Sequence, residues 1–327
     1  MLELEQKVGN YMYIGLDLGG TNMTAAVIDD QFNIISRATK STLAKRPHDL
    51  IIKDMYDVTC EAATKAGRNI ESFETWGIGM PSYVNQETKK VVHANNFGWI
   101  NFPIFDYLEK YTKMPIIIEN DANCAALGET IAGAGKAYHN TIMITIGTGL
   151  GGGIVIEDLI YSGADGMGAE LGHTKLVYDG TRCSCGQKGC VESYCSATAL
   201  IRQMQEALAY DKDSIVWDWC EGDLVKIDGR MIFDAANEKD YVATKVVNQF
   251  CDYLSGALST YITIFRPEAI IIGGGVANAG DILFDRLREK TIINTFAASE
   301  IGIPQILPAK LGNDAGIIGA ALLKKFR

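Results

Sequence analysis

The sequence predicts a mixed α/β chain made of two domains, and three observations carry that expectation. Segments with strand alternation and segments with helical spacing follow one another along the whole length. A strand, a glycine turn and a second strand occur twice, in YMYIGLDLGGTN and again in TIMITIGTGLGGGIVIEDLIYS. With 327 residues, 47% of them apolar, the chain is long enough for two proper cores. The internal echo suggests two related halves, although its shortness leaves coincidence open.

In the opening segment Ile14, Leu16 and Leu18 alternate before Gly19-Gly20, the pattern of a strand entering a tight turn. The chain returns as MTAAVIDD and leaves again as NIISRATKS, which makes a three-stranded meander. Leu50, Ile51, Met55, Val58 and Ala62 then recur at helical intervals over about His48–Lys65. TWGIGM and VVHANN read as short strands, FDYLEKYT as a helix, PIIIEND as a strand, and residues from about Ala122 to Ala132 as a helix. Beyond the second glycine turn, residues 211–240 are acidic and are read as an irregular surface excursion. A long amphipathic helix over about Tyr241–Phe265 stops at Arg266-Pro267, and EAIIIGGGV is a buried strand running into three glycines. The tail NDAGIIGAALLKKF is a final helix with small residues on one face, which permits close packing.

Composition excludes several classes. The balance of 30 basic against 40 acidic residues gives −10, which repels polyphosphate surfaces, so nucleic acid is not an expected partner. The amino terminus has no apolar stretch of signal-peptide length and no segment reaches ~20 uninterrupted apolar residues, so the expected location is the cytosol, with no membrane partner. In that reducing compartment the eight cysteines stay thiols. Cys60, Cys124, Cys220 and Cys251 lie in apolar or helical surroundings and are read as packing residues.

The run from Gly172 to Cys190, GHTKLVYDGTRCSCGQKGC, places His173 ahead of Cys183, Cys185 and Cys190. Three thiolates and an imidazole in a glycine-punctuated loop predict a closed structural zinc site, against the alternative of a metal-free cysteine-rich loop; Cys195 is the weakest further candidate ligand. A filled tetrahedral shell leaves no open position for water, so this zinc would generate no nucleophile. Glu170 and Glu192 flank the knot, either as solvated loop charge or as carboxylates that the metal fixes in space.

Three glycine turns follow strands: Asp17-Leu18-Gly19-Gly20-Thr21, Gly147-Thr148-Gly149 and Gly273-Gly274-Gly275. Such turns expose backbone N–H groups to phosphates, although a Gly-Gly pair between strands is first a hairpin turn. Gly147 to Gly152 satisfies G-x-G-x-x-G, but it continues as a strand instead of opening a helix, which rejects a dinucleotide fingerprint. Asp121 follows an apolar strand and begins a helix, so it is either a reactive carboxylate at a strand's carboxyl end or a helix N-cap. Asn120 beside it offers a donor and an acceptor, as polyol recognition requires.

Taken in order, Asp17-Leu18-Gly19-Gly20-Thr21, Glu119-Asn120-Asp121-Ala122-Asn123, Gly147 to Gly153, Glu170-Leu171-Gly172-His173, Cys183-x-Cys185-x4-Cys190-x-Glu192 and Gly273 to Gly275 resemble the ROK family of sugar kinases, most closely its bacterial glucokinases. The resemblance spans about Tyr13 to Leu323. It implies the actin/hexokinase/Hsp70-like (ribonuclease H-like) duplicated two-domain fold with an interdomain cleft. A small N-terminal domain over 12–125 would be joined by the C-terminal helix 315–327, and a larger domain over 126–314 would carry the zinc loop. It further implies ATP-dependent phosphorylation of a hexose 6-hydroxyl, glucose first, with Mg²⁺ and a homodimer or homotetramer as the assembly. Asp121 would be the catalytic base, and Asn120, Asp121, Glu170, His173 and Glu192 would hold the sugar. Asp17, Gly19, Gly20, Thr21, Gly147, Thr148, Gly149 and Gly273 to Gly275 would hold the nucleotide, with Asp17 holding Mg²⁺ through water. His173 would bind zinc and reach the sugar with its other ring nitrogen.

The sequence departs from that pattern at Pro81-Ser82, at Asn85 where aspartate is frequent, and at Asn95 within His93-Ala94-Asn95-Asn96. These differences keep fructose, mannose, allose, N-acetylmannosamine and N-acetylglucosamine open as acceptors. A sugar-responsive repressor of the same family would carry a helix-turn-helix ahead of about Tyr13, and only about ten residues stand there. A catalytically silent sensor sits poorly with intact Asp17, Asp121 and both glycine turns.

Overall fold

The computed structural model describes residues 11–85 and 87–327, so the reading of the amino-terminal segment falls outside the described residues. The chain forms two compact units. The first comprises the described residues up to Ala132 together with Leu159–Gly168 and Asn313–Arg327; the second comprises Gly133–Asp158 and Ala169–Gly312.

The first unit begins with the expected meander, β1 (Tyr13–Leu18), β2 (Asn22–Ile28) and β3 (Ile34–Ser41), followed by α1 (His48–Lys65). Next come β4 (Trp76–Met80), a small antiparallel sheet of β5 (Tyr83–Asn85), β6 (Lys90–Ala94) and β7 (Trp99–Phe102), and the short helix α2 (Ile104–Leu108). The stretch ends with β8 (Ile116–Asn120) and α3 (Asp121–Ala132). The main sheet runs β3-β2-β1-β4-β8. β1 is antiparallel to β2 and parallel to β4, and β4 is parallel to β8. β4, lying between β1 and β8, is buried along its whole length on both faces, which is why Trp76–Met80 is continuously apolar or glycine and shows no alternation.

The second unit opens with β9 (Thr141–Ile146) and β10 (Leu150–Ile156), an antiparallel pair around Gly147-Thr148-Gly149. The two-residue strand β11 (Leu159–Ile160) falls in the segment grouped with the first unit, and the second unit continues with α4 (Glu192–Cys195), α5 (Ala197–Tyr210), α6 (Ile215–Trp219), α7 (Gly229–Asn237) and α8 (Tyr241–Phe265). Then follow β12 (Ala269–Gly273), α9 (Asp281–Asn294), α10 (Ala298–Ile301) and β13 (Gln305–Pro308). β9 runs parallel to β12, and β12 parallel to β13. An antiparallel glycine hairpin followed by two parallel strands is therefore built twice, and the short sequence echo is a true structural repeat.

Residues 211–240 are not the irregular excursion expected from their acidity. Ser214 caps α6 through Val216 N, and Asp228 caps α7 through Met231 N at 2.7 Å. Val216, Cys220, Ile232, Phe233 and Ala235 are buried in the core of the second unit. Asp223, Asp228 and Asp240 spend their carboxylates as helix caps, and the apolar residues between them repeat at helical spacing. The strand expected over VVHANN stops at Ala94, because Asn95–Phe97 turn into a 3₁₀ helix.

The first unit is closed by α11 (Asp314–Phe326), which lies on β1, β4 and α3 at backbone contact. A Cβ at Gly77 would stand 1.7 Å from the Ala320 carbonyl oxygen, and one at Gly319 the same distance from the Cys124 carbonyl oxygen. Gly128 faces the Ala315 carbonyl oxygen at 2.1 Å by the same construction, and Gly15 faces Ile317 and Ala321 at 2.6 Å. Gly77→Ala would overpack this seam without any strain in its own backbone. We expect it to cost about 3 kcal/mol, read as a fall in melting temperature of roughly 6–12 °C; an unchanged melt would show that the helix can retreat at no cost.

Candidate active site

Register places a carboxylate pair at the carboxyl ends of the parallel strands of the first unit. Asp17 on β1 is opposite Gly79 on β4, and Gly79 is opposite Glu119 on β8, with Asn120 and Asp121 following directly. This is the edge at which open α/β sheets bind ligands. Burial pushes Asp17 up to about 6, with the nearby Asp121 charge adding to it, and burial likewise raises Asp121. Cys124, one turn into α3, is raised well above an ordinary thiol by burial and then by Glu119, Asp17 and Asp121, with Arg327 acting in the opposite sense. A confined excess of negative charge of this kind suits a divalent cation.

The N-cap function considered for Asp121 is carried largely by its neighbour. Asn120 Oδ1 accepts from Ala122 N at 2.8 Å and Asn123 N at 3.3 Å, while one oxygen of Asp121 accepts from Ala122 N at 2.9 Å. Asn120 keeps its amide N–H groups as donors. The Gly19-Gly20-Thr21 turn lies at the end of β1. Gly19 N donates to Asn22 O, Thr42 Oγ1 donates to the Gly19 carbonyl at 2.7 Å, and Thr42 N donates to the Thr21 carbonyl at 2.8 Å. Thr42, fully buried, is thus a pin for this turn that no local sequence signal reveals.

In the second unit the other two glycine turns meet. Gly273 on β12 is opposite Thr145 on β9, so both strands deliver their turns to one edge. Gly274 has φ +82°, and a Cβ there would stand 2.4 Å from the Ile146 carbonyl oxygen, so only glycine fits. Ala197 N donates to the Gly147 carbonyl at 2.9 Å and Thr198 Oγ1 to the Thr148 carbonyl at 2.8 Å, which sets the Gly147–Gly149 turn at the N-terminus of α5. Beside them opens a pocket of about 580 Å³. Ala197, Gly275 and Val276 line it together with Arg230, Phe233, Asp234 and Asn237 of α7. The α7 residues escaped sequence reasoning because 211–240 was read as irregular; the Asp228 cap before MIFDAAN was the available signal.

The same unit gathers His173, Cys183, Cys185 and Cys190, with all four ligand atoms within 4.8 Å of one another. Cys185 Sγ and Cys190 Sγ are 3.8 Å apart, and Cys183 Sγ is 3.7 Å from His173 Nδ1. Zinc–sulfur arms of ~2.3 Å meeting at the tetrahedral angle would separate two sulfurs by about 3.8 Å, so the cluster fits the ion. Nδ1 is the nitrogen turned to the thiols, which leaves Nε2 for another partner. Cys195 lies outside the four, fully buried against apolar core. The turn carrying Glu170 and His173 has a second anchor: Tyr261 on α8 donates to the Leu171 carbonyl at 2.6 Å and sits 3.0 Å from the Thr174 hydroxyl. Glu192 is bonded in two directions. Its Oε2 accepts from Leu150 N at 3.0 Å, and its Oε1 accepts from Ser184 Oγ at 2.7 Å and Cys183 Sγ at 3.4 Å. After the opposing effect of burial, these donors hold its carboxyl below the usual glutamate range.

The proposed ligands to sugar, nucleotide and metal are thus divided. Asp17, Gly19, Gly20, Thr21, Asn120 and Asp121 belong to the first unit, and Gly147 to Gly149, Glu170, His173, Glu192, the cysteines and Gly273 to Gly275 to the second. No helix among the described residues is long and apolar enough to cross a membrane.

The ROK family model matches residues 13–326. A glucokinase of Thermotoga maritima is 37% identical over 315 residues, 96% of this chain and 97% of that one. A xylose repressor of Caldicellulosiruptor bescii is 26% identical, with 98% of this chain and 79% of the repressor covered. The crystal structure of a ROK family glucokinase from Streptomyces griseus in complex with glucose and AMPPNP superposes with a TM-score of 0.75 at 34% identity, covering 95% of this chain and 98% of that one.

The raised Asp17 carboxyl makes a stability prediction. A group lifted from near 3.8 to about 6 on folding contributes stability that is complete below pH 4 and is lost as pH rises through 6. Above pH 7 its ionised form costs on the order of 3 kcal/mol. In magnesium-free buffer Asp17→Asn should therefore melt higher than the parent at pH 7.5, with the gap closing towards pH 4. A constant gap across that range would refute the assignment.

Proposed function

The chain belongs to the ROK family, and from that premise we propose that it transfers the γ-phosphoryl group of ATP to the 6-hydroxyl of a hexose, with glucose as the first acceptor. It is a sugar kinase with the actin/hexokinase-like two-domain fold of its relatives. The observation that carries the mechanism is the carboxylate pair of Asp17 and Asp121 at the carboxyl ends of β1 and β8.

Asp121 acts as the base. Burial raises its pKa towards the operating pH, where proton acceptance from an alcohol is most effective. It takes the proton from the attacking hydroxyl while the oxygen forms its bond to the γ-phosphorus and the bond to the ADP oxygen breaks; the proton then leaves to solvent. Because this transition state is loose and little charge builds on the nucleophile, orientation of the hydroxyl by Asp121 matters as much as basicity. Asp17 would hold Mg²⁺, which when bound neutralises charge on the phosphate oxygens. In the first unit Gly20 and Thr21, and in the second Thr148 and Gly149, would offer N–H and hydroxyl donors to phosphates, the Gly19 and Gly147 N–H groups being spent on the Asn22 and Gly149 carbonyls that shape the two turns. Gly275, at the end of the Gly273–Gly275 turn, lines the 580 Å³ pocket, whose mixed aromatic and polar wall suits adenosine.

Asn120, Glu170, His173 and Glu192 select the sugar. Zinc would be held by His173 Nδ1 and the three thiolates, and its contribution is rigidity, because the filled shell offers no Lewis-acid position. His173 Nε2 and the lone pairs left on Glu192 are then presented to sugar hydroxyls in fixed directions. We place the enzyme in the cytoplasm as a homodimer or homotetramer, following the family.

ADP release from MgATP with glucose, mannose, fructose, allose, N-acetylglucosamine and N-acetylmannosamine should be highest with glucose, and a failure to release ADP with any of them would remove the kinase reading. Asp121→Asn should lower kcat ~10²–10⁴-fold with a much smaller change in KM for glucose. The purified protein should contain one zinc per chain by atomic spectroscopy. Chelation or Cys185→Ala should remove both metal and activity, and full activity in demonstrably zinc-free protein would defeat the bracing role.

A further inference from the structure

Glu119 is a carboxylate that the mechanism above leaves without a task, although it is 4% exposed and stands two residues before Asp121. Its Oε1 accepts from Asn120 N at 3.0 Å and from Asn123 Nδ2 at 3.1 Å. One oxygen therefore holds both the backbone of the residue preceding the base and a side chain in the first turn of α3. Its Oε2 forms an ion pair with Nε of Arg327 at 2.9 Å, a contact of charge without hydrogen-bond alignment, and the Arg327 side chain is 22% exposed. Arg327 directly follows α11, the helix seated on β1 and β4 at backbone contact, so its starting point is fixed by the sheet that carries Asp17. A buried carboxylate stripped of the one cationic partner it has among the described residues is left as an uncompensated charge and must move, recruit water or take up a proton. Each of these would release the Asn120 backbone and Asn123 together.

We propose that Arg327 is a positioning residue for phosphoryl transfer: it pins Glu119, and Glu119 in turn fixes Asn120 and the first turn of α3, setting the direction of the Asp121 carboxylate. The inference rests on the reading of Asp121 as the base. Displacement of a catalytic group by about 1 Å costs on the order of 10²-fold in rate, and binding of the sugar, shared among residues of several loops, is less sensitive. The signature is therefore a fall in kcat that exceeds the rise in KM.

The test is a double-mutant cycle on the full chain with glucose and saturating MgATP, with a melting curve for each variant. Arg327→Met should lower kcat about 10–100-fold with KM for glucose raised by less, and Arg327→Lys, which restores the cation, should recover most of the loss. In a Glu119→Gln background Arg327→Met should cost less than about threefold, because the charge it served is gone. Should Arg327→Met fail to fold, the charge-balanced double variant and Arg327→Lys carry the comparison. The proposal is overturned if Arg327→Met keeps kcat within twofold of the parent, if the loss persists undiminished beside Glu119→Gln, or if kcat and KM worsen equally. Asp121→Asn separates the two readings: its full activity would remove the base assignment, whereas an inactive Asp121→Asn beside a fully active Arg327→Met would remove only the role of Arg327.

Discussion

The seating of α11 on its sheet at backbone distance is the constraint on which the first unit depends. Gly15 and Gly77 on the strands, Gly128 on α3 and Gly319 on α11 each leave no room for a Cβ, so two helices and a sheet meet with no side-chain layer between them. This contact produces the chemistry of the site. A Cβ at Gly316 on α11 would lie 3.5 Å from Asp17 Oδ2, so the helix forms one wall around that half-buried carboxylate and shields it from solvent on that side. The dehydrated environment is what raises Asp17, with the Asp121 charge adding to the effect. A packing decision made by glycines is thus converted into an electrostatic one.

The second unit solves a similar problem by different means. Its sheet repeats the hairpin and parallel-strand order of the first, but the parts that would meet the sugar are held by a loop and not by a helix packed on a sheet. A loop of this length has little apolar surface to bury, and the four-ligand cluster supplies the missing constraint. The cluster is not isolated. Glu192 ties it to the Leu150 N–H beside the Gly147–Gly149 turn, and Tyr261 ties the Glu170–His173 turn to the core helix α8. A Cβ at Gly149 would lie 2.6 Å from Glu192 Oε2, so the glycine of the phosphate turn also makes space for the carboxylate that braces it. The bracing that these contacts give is mechanical, and it reaches the Gly147–Gly149 turn as well as the Glu170–His173 turn.

What the sequence disclosed follows a physical rule. Features set by neighbours along the chain were legible: the strand alternation before Gly19, the helix over His48–Lys65, the small-residue face of α11 and the spacing of Cys183, Cys185 and Cys190 all depend on residues within a few turns. Features set by distant partners were not. Nothing near Thr42 announces that it pins Gly19, nothing near Tyr261 announces Leu171, and Arg327 meets Glu119 only after the chain has passed through the other unit. Residues 211–240 were a different failure, since their signal was local but was weighed wrongly. Acidic side chains were read as solvated surface when several, Asp228 and Asp240 among them, were capping helices whose opposite faces are buried.

This distinction bears on where substrate preference resides. The residues that would do phosphoryl chemistry, Asp17 and Asp121, lie on sheet edges fixed by backbone contact, and such positions tolerate little variation in direction. Ser82 and Asn85 lie elsewhere, on the short segment leaving β4 and in the small sheet beyond it. Met80, two residues before Ser82, is in register with Asn120, so this segment starts at the same sheet edge as Asp121. The Ser82 hydroxyl is buried without a hydrogen-bond partner among the described residues, a state that costs free energy unless a ligand or water supplies one. Asn85, by contrast, already accepts from Thr88 N at 2.8 Å and is spent on its own turn. Between these two departures from the usual family pattern, the serine hydroxyl is the buried group without a partner among the described residues, while the Asn85 side-chain oxygen is committed to its own turn.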